Sequence, residues 1–112
     1  MLSVLIVDDE PLVQAGLQSI VDWSALDARL LPSAGDGQAA LETIRREQPD
    51  LVITDIRMPV MDGLELIRRC RAEFGDRPEF IVLTSFEDFA YAREAMKYRV
   101  AEYLVNLELT PD

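Results

Sequence analysis

Three aspartates stand where carboxylates can hold a cation. Asp8 and Asp9 directly follow the apolar run Val4-Leu5-Ile6-Val7, and Asp55 closes a second run, Leu51-Val52-Ile53-Thr54. If the two runs are neighbouring parallel strands, all three acids meet at the carboxyl edge of one sheet, where open α/β folds place their ligands. Like charges about 4 Å apart repel by roughly 4 kcal/mol at an effective dielectric near 20, so such a meeting implies either a bound metal or an acid that titrates high. After Asp55 comes Ile56-Arg57-Met58-Pro59-Val60-Met61-Asp62-Gly63, in which Pro59 fixes φ and Gly63 tolerates a turn into a helix. A plainer role exists for each acid. Asp55 would cap a helix, although Asp62 sits better for the helix that begins near Gly63, and Asp8, Asp9 and Glu10 would favour the positive end of a first helix.

The elements that must position these acids alternate along the chain. Short leucine-rich or β-branched runs at residues 2–7, 51–54, 80–83 and 103–105, with a weaker one near 28–32, read as buried parallel strands. Helical stretches are expected at 11–21 with Pro11 in the first turn, 37–48 behind an Asp36 cap, 63–74 and 87–98. Ile67, Cys70 and Phe74 recur at helical spacing and are expected to face the core, as are Phe89, Ala92 and Met96. The predicted architecture is a doubly wound α/β fold with a five-stranded parallel sheet and right-handed crossovers.

Composition sets the outer limits. A length of 112 residues suits one domain. With 21 acidic residues, 11 basic residues and no histidine, the net charge of −10 argues against this segment gripping nucleic-acid phosphates. Cys70, the single cysteine, excludes an internal disulfide and any Cys/His metal cluster, which suits a reducing cytosol. The opening apolar run is short and stops at acids, so neither a secretory signal nor a membrane span is visible, and a cytoplasmic location is expected. Thr110-Pro111-Asp112 has the form of a helix start with no helix after it. A domain covering residues 1–112 and cut before its last helix is therefore expected, with one sheet face partly bare.

Taken together, the acidic pair Asp8-Asp9, the Asp55-to-Gly63 loop, Thr84 after the fourth strand and Tyr103 in the fifth resemble the receiver domain of bacterial two-component response regulators. Asp22-Trp23, the stretch Ser85 to Ala92, and Glu108-Leu109-Thr110-Pro111 are similar to receivers fused to AraC-type DNA-binding domains. The resemblance implies a flavodoxin-like receiver fold. It implies that Asp55 accepts phosphate from a sensor histidine kinase, giving an aspartyl phosphate, with no enzymatic turnover beyond self-phosphorylation and dephosphorylation. It also implies Mg²⁺ bound by Asp9 directly, Asp8 through water, Asp55 and the backbone carbonyl of Arg57. In that family the Thr84 hydroxyl contacts the phosphoryl group, Tyr103 rotates inward as a switch, and the surface of helix four, strand five and helix five changes. Without the family, Thr84 reads as turn chemistry and Tyr103 as an ordinary strand aromatic.

One departure stands out. Receivers ordinarily carry a lysine three residues beyond the switch aromatic, and here that position is Asn106, an amide with no charge. The expectation is that Mg²⁺ binding and phosphorylation survive while coupling to the output surface weakens. A second reading is a degenerate receiver that works as a phosphorylation-independent interaction module. Two further readings fit less well: a nucleotide or flavin binder lacks its glycine-rich loop after strand one, and an Asp-nucleophile phosphatase lacks a second acid at position 57, which is Arg57. Partners implied by the resemblance are the kinase, a downstream DNA-binding effector domain that controls transcription, and a second copy docking on the helix four/strand five face with Tyr91, Arg93, Glu94, Lys97 and Arg99. A solvated helix face would read the same way.

Overall fold

In the computed structural model, the described residues are 1–85, 88, 90 and 93–105, with the side chains of Tyr103 and Val105 outside the description. Five strands, β1 (Leu2–Val7), β2 (Ala28–Leu30), β3 (Leu51–Asp55), β4 (Glu79–Thr84) and β5 (Glu102–Val105), form one sheet in the order β2-β1-β3-β4-β5. Every pairing is parallel. Parallel neighbours need crossovers, supplied here by α1 (Pro11–Ile20), α2 (Gly37–Glu47) and α3 (Gly63–Phe74), and ahead of β5 by a short 3₁₀ helix, Glu94–Tyr98.

Side chains of β1 divide the core in two, because successive residues of a strand point to opposite faces. Leu5 and Val7 join Val52, Phe80 and Val82 under α2 and α3, which contribute Leu41, Ile44, Leu66, Ile67 and Cys70. Val4 and Ile6 join Ile53 and Leu83 under α1, which contributes Val13 and Leu17. Both faces of the sheet therefore carry apolar residues, which is why the strands read as continuous apolar runs rather than alternating ones. On the α1 face Leu30, Leu51 and Ile81 are only partly buried among the described residues.

Helix starts follow the predicted chemistry. The Asp36 carboxylate accepts from the Ala39 N–H at 2.8 Å and that of Asp62 from the Glu65 N–H at 2.9 Å, satisfying donors that a helix leaves open at its first turn. Gly63 serves differently from the expected turn. It has no positive φ, and a Cβ there would collide with the Asp55 carbonyl oxygen and meet Ile56 Cα at 3.0 Å. The loop needs glycine for close backbone approach, with the Gly63 N–H donating to the Ile56 carbonyl at 2.8 Å.

One core expectation is overturned. Met96 is 53% exposed, and the neighbouring Ala95 is buried instead. The stretch winds as a 3₁₀ helix at three residues per turn, so Ala95 and Tyr98 share the inward face. A phase extrapolated at 3.6 residues per turn from Phe89 misses this. Phe89 and Ala92 lie outside the described residues, as do Tyr91, Asn106 and the segment Glu108 to Asp112.

Candidate functional site

β1 and β3 are neighbours in the sheet, with Val7 opposite Thr54. In the strand order, β1/β3 is the point where the chain reverses its direction of travel across the sheet, the usual place for a ligand crevice. Asp8 and Asp9 leave the end of β1, and Asp55 ends β3. Along with Glu10, Val13, Arg57, Ser85 and Asp88, they line a cleft of about 300 Å³. Oxygens of Asp8, Asp9 and Glu10 all lie within 4.8 Å of one another. Asp55 shares the cleft without belonging to that tight trio.

Local bonds hold each carboxylate. Asp8 is only 2% exposed, and its Oδ1 accepts from the Glu10 N–H at 2.9 Å, so it does shape the approach to α1. Asp55 Oδ1 accepts from the Ile56 N–H at 2.7 Å. Burial pushes the Asp8 carboxyl up to about 7, with its Glu10 bond pulling it down and Asp55, Asp9 and Glu10 adding to the rise. Asp55 is pushed up to about 6, again chiefly by burial; the Ile56 and Arg57 N–H groups oppose this, and Asp9 and Asp88 add to it. Among the described residues, no ion pair neutralises Asp8, Asp9, Glu10 or Asp55. Oxygen donors gathered at one sheet edge, with Asp8 buried, Asp9 and Glu10 exposed and no described ion pair to neutralise them, fit a hard divalent ion.

Residues 4–106 match the family model of the response regulator receiver domain. The chain belongs to that family. Among curated relatives, the receiver is 46% identical over 106 residues to the uncharacterised transcriptional regulatory protein YesN of Bacillus subtilis, covering 95% of this chain and 28% of YesN. It thus spans well under half the length of that relative. Three solved structures share its receiver fold. The receiver domain of AraT, a response regulator of Geobacillus stearothermophilus, superposes with a TM-score of 0.88 at 36% identity, covering 95% of this chain and 81% of that one. A two-component transcriptional regulator AraC of Clostridium phytofermentans gives 0.84 at 34%, covering 95% and 81%. TrrA of Thermotoga maritima, solved in complex with Mg²⁺ and beryllium fluoride, gives 0.80 at 29%, covering 96% and 89%.

In this receiver, Thr84 ends β4 fully buried, and its hydroxyl donates to the Ser85 carbonyl at 3.1 Å. It stands beside the cleft rather than in its wall. Tyr103 lies in β5 opposite Val82. Four contributors were not apparent as site residues from sequence. Gln14 of α1 donates to the Asp8 carbonyl at 2.6 Å and to that of Ala34 at 3.4 Å, clamping the β1 end. Glu10 completes the acidic trio. Ser85 and Asp88 form the far wall, where the Ser85 hydroxyl donates to Asp88 Oδ2 at 3.2 Å. Ser85-Phe86-Glu87-Asp88 has the Ser-x-x-acid spacing of a capping box, which is the signal that points to the pair. No helix among the described residues is long and apolar enough to cross a membrane.

Proposed function

We propose that this receiver takes a phosphoryl group from a histidine kinase onto Asp55 and thereby resets an output surface that controls transcription through a DNA-binding domain elsewhere in the protein. The observation that carries the reading is Asp55 in the switch-point cleft with Asp8 and Asp9, the three forming no ion pair with a side-chain cation among the described residues. Asp8, Asp9, Asp55 and the Arg57 backbone carbonyl are the groups that would hold Mg²⁺. When bound, Mg²⁺ offsets the repulsion between carboxylate and phosphoryl oxygens. An Asp55 oxygen forms the bond to phosphorus while the donor's bond to phosphorus breaks, the leaving group taking the electron pair.

Thr84 acts next by exchanging its bond to the Ser85 carbonyl for one to a phosphoryl oxygen, and Tyr103 in β5 follows as the switch. The surface so changed includes Arg93, Glu94, Lys97 and Arg99, a face suited to a second copy of the receiver. The net charge of −10 keeps this domain itself off DNA, and the cytoplasm is where such a kinase would meet it. Asn106 in place of lysine favours the second reading, an interaction module indifferent to phosphate, and the uncompensated acids favour the first.

Thermal unfolding with Mg²⁺ and beryllofluoride, a phosphoryl mimic, separates the two. The expected result is a rise in Tm that needs both additives and vanishes in Asp55→Asn. A wild-type protein indifferent to the pair, or a shift that persists in Asp55→Asn, would remove Asp55 from the role.

A further inference from the structure

The cleft poses a charge problem that its acids cannot solve alone. Asp8, Asp9, Glu10, Asp55 and Asp88 line it, and the one cationic side chain among its described lining residues is Arg57. The residues outside the description include no lysine or arginine. The single lysine of the chain, Lys97, is paired with Glu94 at 3.1 Å on the 3₁₀ helix and does not line the cleft. We propose that Arg57 is the side-chain cation that meets the phosphoryl group in this receiver, and that Asp88 holds it across the cleft mouth until then.

Arg57 Nε lies 3.1 Å from Asp88 Oδ1, joining the loop after β3 to the segment after β4. The two ends of the pair differ in exposure. Asp88 has a side chain only 24% exposed and is fixed twice more, by the Ser85 hydroxyl at 3.2 Å and by its own N–H on the Ser85 carbonyl at 3.1 Å. The Arg57 side chain is 66% exposed and has contacts besides Asp88; as the more exposed end of the pair it is the one that reaches a phosphoryl group entering the cleft. Direction follows from the partners. An exposed ion pair is weak and screened, whereas a guanidinium fork matches two oxygens of a phosphoryl group and bonds them with charge assistance. Arg57 is two residues beyond Asp55, and its side chain can be changed without removing the backbone carbonyl assigned to Mg²⁺.

This inference rests on the phosphoacceptor reading, and the test separates the two. Rates of Mg²⁺-dependent phosphorylation by acetyl phosphate are measured for folded wild type, Arg57→Gln, Arg57→Lys, Asp88→Asn and the Arg57→Gln/Asp88→Asn double variant, with Mg²⁺ affinity measured by titration calorimetry. In this reaction the Asp55 oxygen gains the phosphorus bond and acetate leaves with the electron pair. Arg57→Gln is expected to slow phosphorylation about tenfold at unchanged Mg²⁺ affinity, with Arg57→Lys between it and wild type. Releasing the arm in Asp88→Asn is expected to speed phosphorylation about twofold to fivefold, and to do nothing in the Arg57→Gln background. Arg57→Gln at the wild-type rate, or an Asp88→Asn effect that survives in the double variant, would overturn the proposal while leaving Asp55 as acceptor. A wild-type protein that takes no phosphoryl group would overturn both.

Discussion

At the residue scale, the chemistry of Asp55 depends on a neighbour with no reactive group. Gly63 lies so close to the Asp55 carbonyl that a methyl group cannot be accommodated without moving the β3 end. Gly63→Ala is expected to cost about 1–3 kcal/mol in urea unfolding and to lower the phosphorylation rate as well; unchanged stability would show that the loop yields. The acids make a second prediction. Asp8 and Asp55 titrate at about 7 and 6 when folded, against 3.8 for a free aspartate. Between those values the folded protein holds protons that the unfolded chain has released, so stability falls as pH rises from about 4 to about 7 and levels off above that. The loss is expected in chelator, and Asp8→Asn should recover much of it at pH 7.5. Stability that rises with pH across that window would contradict the burial argument. At position 106, Asn106→Lys is expected to enlarge the conformational shift that phosphorylation produces; an unchanged shift would mean that the amide is not the weak link.

At the element scale, the sequence was most legible where local chemistry decides. Asp36 and Asp62 each cap the helix that follows them, and α3 runs over the predicted 63–74. It was least legible where tertiary contact decides. Met96 faces outward because a 3₁₀ winding replaces the α-helical phase, and periodicity counted at 3.6 residues per turn carries no warning of that. Arg71 is a second case, since nothing in its spacing announces its role. From α3 it donates to the carbonyls of Tyr98 at 2.6 Å, Gly75 at 3.2 Å, Pro78 at 3.0 Å and Arg99 at 3.1 Å, over the Phe80 ring. One guanidinium thus ties α3 to the segment that leads into β5. Arg71→Ala is expected to destabilise by about 2–4 kcal/mol, because carbonyls lose charge-assisted donors in a partly desolvated place. Arg71→Lys should rescue little, having a single ammonium for four diverging acceptors. A full rescue by lysine would show that charge alone, and not the fork, holds the segment.

At the scale of the whole molecule, strand order was the decisive unknown. The apolar runs give the strands, and the acids after two of them suggest a shared edge, but only the order β2-β1-β3-β4-β5 makes Asp8, Asp9 and Asp55 neighbours. The far wall of the cleft was harder to foresee, because Ser85 and Asp88 reach it through the placement of β4 rather than through any proximity in sequence to the other acids. A fold that gathers five acids around one arginine holds electrostatic strain, and a bound cation relieves it. The most direct test is intact-mass analysis after incubation with acetyl phosphate, with and without Mg²⁺, on wild type and Asp55→Asn. One phosphoryl adduct that requires Mg²⁺ and is lost in Asp55→Asn is the expected result. An adduct that persists in Asp55→Asn, or a folded wild-type protein that gains none and also ignores beryllofluoride, would contradict the account.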